Sequence, residues 1–593
     1  MNDSPALSDV FPPVPDEDWL DRLRRDLGDN FEEQLTWAPL EGIDIQAFYR
    51  RASTESLPHV AEQVHSQALR TPRDAPNDWI VAQRLPLDAT SLNTRIASAC
   101  SGGANRIVVT ATGTDASADL SAALSTAQTV ANEHDVSLHL DGGADALAVL
   151  QRTNNLEALP TTYADARMMH AFGYTVPSEA VPSHPHPIVV DMRRPHAVGV
   201  PMAKSLALGL ASLSEALHAQ SPGVLEAGVP HTLLVSVDTS YFLEIAKLRA
   251  LRLLVPQVIQ AYADTHDVAT SVRPADVTLY AETSPRSHTL FDPHANLLRA
   301  ATQSAAAVIG GADQLVVAPF RRDAHDEQAN ADRLARNTQL ILKHEAHLHR
   351  VADPAAGAYY IEHATHRLAQ AVWTQFQAIE SDGGFSAWTH DALFAEFVQN
   401  AQAARTRRMA QRKDVLVGTN HYPDPDMPAS LPPTAAVSPA EQAFDVNPPA
   451  WAQPLHLSTP YDALRLRIQA LDERPTALLV PVGIPAIRSA RATFARNIIG
   501  CLGLDLVEPL GYDSVEAALD AVVEQTPDVV VWCTDDDTLP TLINRALTRS
   551  LDAITLTAAP PDAVPHADDV DLLLHRGASI RKRLEQLTDL LTE

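Results

Sequence analysis

The chain has 593 residues, with 45 Lys plus Arg against 74 Asp plus Glu, a formal charge of −29. So acidic a chain repels nucleic acid unless it segregates a basic face, and no Lys/Arg run long enough to make one occurs. Its 45% hydrophobic and 20% charged residues are a globular composition, and the length suits several domains of roughly 100 to 200 residues.

Cys100, Cys501 and Cys533 are too few and too scattered for a disulfide framework or a zinc cluster, and they fit a reducing cytoplasm. The first residues lack the basic and apolar regions of a signal peptide, and no uncharged apolar stretch approaches the ~18 residues of a membrane span.

In chain order, Trp19, Leu23, Leu27, Phe31 and Leu35 recur at every fourth position, with Asp16, Glu17 and Asp18 on the positive dipole end. This predicts one amphipathic helix over 16–35, packed either on a partner chain or on the back of its own domain, since a lone helix of this length is marginal in water. From 75 to 420, β-branched runs alternate with helical stretches: 79–84, 106–111, 136–142, 187–192, 232–238, 277–283, 314–320 and 414–420. Near-continuous apolar runs mark parallel strands covered on both faces, and eight such units close into a (β/α)8 TIM-type barrel. Asp191, Asp238, Glu282 and Asn420 end runs, where they either terminate strands or carry a barrel's chemistry. A proline-dense stretch over 423–470 reads as an extended linker. Beyond it, five apolar runs over 476–483, 505–510, 528–535, 552–558 and the segment near 571 predict a doubly wound, flavodoxin-like domain.

No motif announces a site. His344, His347 and His349 fall one residue short of the HExxH spacing that puts two imidazoles on one helix face, which favours a solvated or capping role over a metal. The pairs Gly102-Gly103, Gly142-Gly143, Gly310-Gly311 and Gly383-Gly384 read as turn glycines. None builds a dinucleotide or P-loop motif, and neither GxSxG nor a nucleophilic cysteine motif occurs.

The order barrel, linker, flavodoxin-like domain resembles that of the adenosylcobalamin-dependent acyl-CoA mutases, and long phrases are similar: EGIDIQAFY (41–49), YFLEIAKLRALR (241–252), FDPHANLLRAATQSAAAVIGGADQLVVAPF (291–320), RNTQLILKHEAHLHRVADPAAGAYYIE (336–362) and RKDVLVGTNHYP (412–423). The resemblance implies that the histidine cluster lies on a barrel helix. It also exposes departures. The family's cobalt-ligating His comes from a DxHxxG loop, but the matching loop here, 481–497, has neither motif nor His, and no His occurs over 457–565. Arg194 stands where the family's barrel loop carries its substrate-side His, with His196 two residues off register, and WIVAQR (79–84) stands where an RQYAGF-like segment is expected.

A retained scaffold with these losses is similar to the small subunit of heterodimeric methylmalonyl-CoA mutase. The resemblance implies a structural, non-catalytic chain with no catalytic, cofactor-binding or metal residues of its own. Adenosylcobalamin would be bound by a large catalytic partner, and the amino-terminal segment would wrap that partner. On this reading, 1–50 is the wrapping segment, 51–422 the barrel, 423–470 the linker and 471–593 a degenerate cobalamin-binding domain. Two alternatives stay open: an active acyl-CoA mutase barrel served by a separate cobalamin-binding subunit, and a non-enzymatic acyl-CoA binder or assembly protein.

Overall fold

The computed structural model describes residues 14–61, 76–86, 91–110, 118–141, 162–163, 188–219, 231–268, 276–321, 325–390, 392–427, 449–549, 551–564 and 570–592. Eight strands make the first sheet: β1 (Ile80–Pro86), β2 (Arg106–Thr110), β3 (Ser137–Asp141), β4 (Thr162–Tyr163), β5 (Val189–Asp191), β6 (His231–Val237), β7 (Val277–Thr283) and β8 (Gln314–Val316). All pairings are parallel, in the order β4-β3-β2-β1-β8-β7-β6-β5. Because β1 lies against β8, with Ala82 opposite Val316, this is the ring order of an eight-stranded α/β barrel read from the β4/β5 seam.

The two-residue period of a strand explains how the sheet buries both faces. Ala82, Val108, Val189, Leu234, Tyr280 and Val316, one from each of six strands, form a separate apolar cluster. Their neighbours Val81, Leu233, Val235, Leu279, Ala281 and Leu315 instead join the large core with the helices Met202–Ala219, Tyr241–His266, Pro293–Ile309 and Tyr359–Ser381. One set therefore faces inward within a curled sheet and the other faces the helical layer.

Seven of the eight expected runs coincide with strands. The run 414–420 does not, and the short β4 takes the eighth place. Val415 and Val417 are about half exposed, at 51% and 48%. The segment closes on itself instead: Asn420, fully buried, accepts from the Leu416 N–H at 2.7 Å and donates to the carbonyls of Asp414 at 2.9 Å and Met409 at 3.1 Å. Gly418 sits at φ +82°, where a Cβ would meet the Asp292 carboxylate at 2.8 Å. Asn420 thus organises a turn and does not stand at a strand end.

The second sheet contains β9 (Thr476–Val482), β10 (Asp505–Val507), β11 (Val529–Thr534), β12 (Ile554–Ala558) and β13 (Leu572–Leu574), all parallel, in the order β10-β9-β11-β12-β13. Helices Pro485–Ile499 and Ile580–Thr592 cover one face, Val515–Gln525 and Leu539–Arg549 the other. Within the stretch expected to be linker, residues 459–469 form a helix whose Tyr461, Leu464 and Ile468 enter this core, a three- and four-residue period hidden by the prolines around it. Residues 428–448 of that stretch lie outside the described residues.

The expected helix over 16–35 is two: Asp16–Leu27 stops at Gly28, at φ +83°, and Phe31–Leu35 follows. Trp19 packs on Phe48 with ring centroids 4.6 Å apart, while Ile43, Ile45 and Tyr49 join the large core. Among the turn glycines, Gly103, Gly311, Gly383 and Gly384 have positive φ, and Gly142-Gly143 lies outside the described residues. The histidine cluster does not lie on one helix. The helix His325–Leu340 passes into a π turn, Ile341–Glu345, and ends, so His347 adopts φ +56° and His349 falls in the next 3-10 turn. Among the described residues, no helix is long and apolar enough to cross a membrane, and no group of three His, Cys, Asp or Glu is placed to hold a metal ion.

Candidate functional site

Two residues beyond the inward apolar cluster, the same strands turn charged side chains inward, and these meet at the carboxyl end of the first sheet. Arg84 on β1 donates to both Glu282 oxygens, at 3.0 and 2.6 Å, to Thr110 Oγ1 at 2.8 Å, and pairs with Asp141 at 2.6 Å. Arg193, just past β5, forks onto both oxygens of Asp141 (2.7 and 3.0 Å) and of Asp191 (both 2.8 Å), and reaches Glu282 at 3.0 Å. All five charged side chains are 11% exposed or less. Among the described residues, two guanidinium groups and three carboxylates therefore meet at this level, with a net charge of 2 − 3 = −1.

Burial alone would raise the carboxyl of Asp141, but the facing Arg193 and Arg84 guanidinium groups hold it well below the usual carboxylate range. Burial likewise works against the charge on Arg84 and Arg193, and the surrounding carboxylates outweigh it, raising both. Both cations are thus committed to internal partners, and neither is left free for a phosphate-bearing ligand. Bidentate pairing also fixes the strand ends that carry it.

A second group lies beside the first. Asp238, after β6, bonds Arg286 and accepts from Ser287 Oγ at 3.3 Å, while His196 Nε2 lies 2.8 Å from Ser284 Oγ and 3.9 Å from Asp238. Burial and the neighbouring Arg286 push His196 well below its ordinary value, so it stays neutral. Ser284 and Asp238 both approach the same ring nitrogen, so they do not flank the imidazole from opposite sides as the nucleophile and carboxylate of a triad do. The group instead anchors the chain entering the second domain: Leu455 and Leu457 N–H donate to the carbonyls of Ala197 (2.8 Å) and Arg286 (3.0 Å), and Ser458 Oγ to that of His288 at 2.8 Å.

A third place where α/β folds accept ligands is the crevice at the carboxyl ends of adjacent strands where strand order reverses. In the second sheet this lies between β9 and β11, where Val482 pairs with Thr534. The carboxylate of Asp535, 4% exposed, occupies it, accepting from the N–H of Ile484 and of Thr538, each at 2.9 Å.

Of the strand-end residues picked from the sequence, Asp191 and Glu282 come together, Asp238 joins the neighbouring group, and Asn420 lies in the turn described above. Arg194 is half-buried on the short helix Arg193–Ala197, and its neighbour Arg193 is the one that enters the sheet. Sequence reasoning passed over Arg84, Asp141, Arg193, Arg286 and Asp535. The available signal was a charged residue closing each of two apolar runs, Arg84 after 79–83 and Asp141 after 136–140, with opposite signs.

Comparison with known proteins gives one consistent result. A family model described as methylmalonyl-CoA mutase matches residues 118–443. The methylmalonyl-CoA mutase small subunit of Porphyromonas gingivalis is 29% identical over 570 residues, covering 90% of this chain and 89% of that protein. The small subunit of Streptomyces virginiae is 32% identical over 358 residues, 59% of this chain and 55% of the relative. The methylmalonyl-CoA mutase of Rhizobium meliloti is 32% identical over 187 residues, 32% and 26% of the two chains.

Proposed function

Since the chain belongs to the methylmalonyl-CoA mutase family, we propose that it is the supporting small subunit of a heterodimeric, adenosylcobalamin-dependent mutase that interconverts (R)-methylmalonyl-CoA and succinyl-CoA. A large partner subunit would bind substrate and cofactor, in the cytoplasm, without nucleic acid. The observation that carries this reading is what lies inside the first sheet: a cluster of apolar side chains at one level and the mutually paired Arg84, Arg193, Asp141, Asp191 and Glu282 at the next. A CoA ester threading such a sheet would have to displace a network whose cations are already paired.

The residues of the second domain do not fit the cofactor either. The loop after β9 offers no imidazole, its exposed side chain being Ile484, and the crevice above it holds a carboxylate. We assign no catalytic, cofactor-binding or metal residue to this chain. The 1–50 segment, the barrel over 51–422, the stretch 423–470, whose helix 459–469 packs into the second core, and the degenerate cobalamin-binding domain over 471–593 make up the proposed organisation. In it, the chain's contribution is binding free energy, which stabilises the native partner as any selective ligand does.

The test is co-expression with the large subunit encoded in the same organism, followed by mutase assay and cobalamin quantitation of each chain alone and of the pair. Activity in the complex with one cobalamin per pair is the expected outcome. Cobalamin retained by this chain alone, or turnover by it with a separate cobalamin-binding protein, would replace the reading with that of an active barrel. CoA-ester binding without any pairing would favour a stand-alone binder.

A further inference from the structure

The crevice between β9 and β11 has the parts of an anion site, and each is already used by the chain. Gly483, at φ +88°, follows β9, and a Cβ there would lie 1.9 Å from Asp535 Oδ2, so only glycine admits the carboxylate at this distance. Ile484 N–H and Thr538 N–H point at its two oxygens. Arg491, on the helix Pro485–Ile499, bonds the carbonyl of Thr534 and the carboxylate of Asp536. Arg488, one turn earlier, donates to the carbonyl of Tyr512 at 3.2 Å and lies against Gly511, while Tyr512 N–H donates to Pro481 at 2.9 Å. The loops after β9, β10 and β11 are thereby drawn together over the strand ends. Burial works to raise the Asp535 carboxyl, but the N–H bonds outweigh it and hold the group below its ordinary range, so it is an anion at neutral pH.

We infer that Asp535 is a built-in anion that occupies the switch-point crevice of the second domain and closes it to phosphate-bearing ligands. Two backbone donors and a guanidinium, which a phosphate would recruit, are satisfied by carboxylates and a carbonyl of the same chain. The missing cobalt-ligating His alone would leave such a crevice able to hold the phosphate of a cofactor tail, whereas the carboxylate repels it. This inference rests on the reading of the chain as a subunit that leaves the cofactor to its partner, and it supplies a second reason independent of the axial ligand.

Asp535→Ser separates the two jobs of the side chain. A serine hydroxyl still reaches the Thr538 N–H three residues on, as an N-cap does, but is too short to reach Ile484. Asp535→Ala removes both contacts. The full-length chain and both variants are titrated with inorganic pyrophosphate and with hydroxocobalamin, reading the thermal midpoint, calorimetric heat and retained cobalamin absorbance, with circular dichroism to establish folding. The expected result is no pyrophosphate response in the native chain and a concentration-dependent rise in midpoint with measurable heat in Asp535→Ser, as binding to the native state alone requires. A folded Asp535→Ser that does not respond overturns the inference while leaving the subunit reading intact, and so does an equal response from the native chain. Should Asp535→Ala not fold, Asp535→Ser decides alone. Should Asp535→Ser not fold, a folded Asp535→Ala is held to the same criterion. Failure of both to fold in buffer but folding in pyrophosphate supports the inference, and failure in both conditions assigns Asp535 a purely structural role and overturns it. Cobalamin retained by the native chain overturns both this inference and the subunit reading.

Discussion

Replacing Arg84 by Met removes a charge from a closed network while keeping most of the apolar stem. It takes away two bonds to Glu282, one to Thr110 and the pairing with Asp141, and leaves three buried carboxylates around Arg193, a net charge of 1 − 3 = −2. Stripping one partner from a buried pair costs about 3–5 kcal/mol, because the remaining charge stays desolvated. Adding Glu282→Met removes still more bonds, yet returns the count to one guanidinium and two carboxylates, net −1 as in the native chain, with Arg193 still forked onto Asp141 and Asp191. The double variant is therefore expected to cost less than the sum of the two single variants by about 0.5–3 kcal/mol, the usual coupling between contacting groups. Because the two sheets have separate cores, the assay is amide hydrogen exchange read on peptides over β1 and β7, which reports the opening free energy of the first sheet by itself. If the costs of the two single variants simply add in the double one, within about 0.5 kcal/mol, the network is not the coupled unit described.

His196 and His139 are both held neutral by burial, reinforced by Arg286 and Arg106 respectively, His139 down to about 3. The unfolded chain takes up protons at these positions below about pH 6.5, so their contribution to stability is complete above that pH. It is lost as pH falls below that, for His139 down to about 3, by about 1.4 kcal/mol per unit. Asp462, pushed up to about 6 by burial, works the other way between about pH 4 and 6. Acid unfolding of His139→Phe should accordingly show a shallower pH slope than the native chain. Asn420→Ala strands the N–H of Leu416 and two carbonyls, and a loss of about 2–4 kcal/mol with faster exchange over 409–422 is expected. Burial pushes the thiols of Cys501 and Cys533 up to about 12, so a maleimide at pH 7 should label half-buried Cys100 first and the other two only on unfolding. Residues 1–37 hold ten acids against three arginines, and if the proposed pairing with a large subunit uses them, association should slow as salt rises, whereas a charge serving solubility alone would leave the rate unchanged.

Most strands were legible because a doubly covered parallel strand needs an apolar run, and such runs are scarce elsewhere. The exception, 414–420, shows the limit of that signal. Val415 and Val417 have the composition of a strand, but Gly418 and the Asn420 side chain supply the local bonds of a turn, and a side chain reaching back four residues leaves no periodic trace. The same limit hid the helix 459–469, where Pro460 at the first turn is compatible with a helix start and not a break. Gly28 was passed over for the opposite reason: the four-residue apolar repeat runs through it to Leu35, though the chain turns there.

The buried charge networks were less legible than the fold, because they depend on which charged residues meet, and strands far apart in sequence bring them together. Arg84 and Glu282 are 198 positions apart, and Arg193 and Asp141 are 52. Yet their presence follows from the physics of a retained scaffold. A barrel or crevice shaped for a ligand that never arrives is a cavity, and buried cavities cost about 24 cal/mol per Å3. Water could enter, but it would strand the same donors in a poorer geometry. On the proposed reading, a supporting subunit that keeps the mutase architecture is driven to supply from its own sequence what substrate and cofactor would supply in a catalytic chain. Carboxylates paired with arginine serve inside the first sheet, and one lone carboxylate serves where backbone N–H groups already point in the second. On that argument, variants that remove a carboxylate from either place should be destabilised in the isolated chain and should regain part of the loss when a suitable anion is added, a pairing of effects that an ordinary packing defect does not produce.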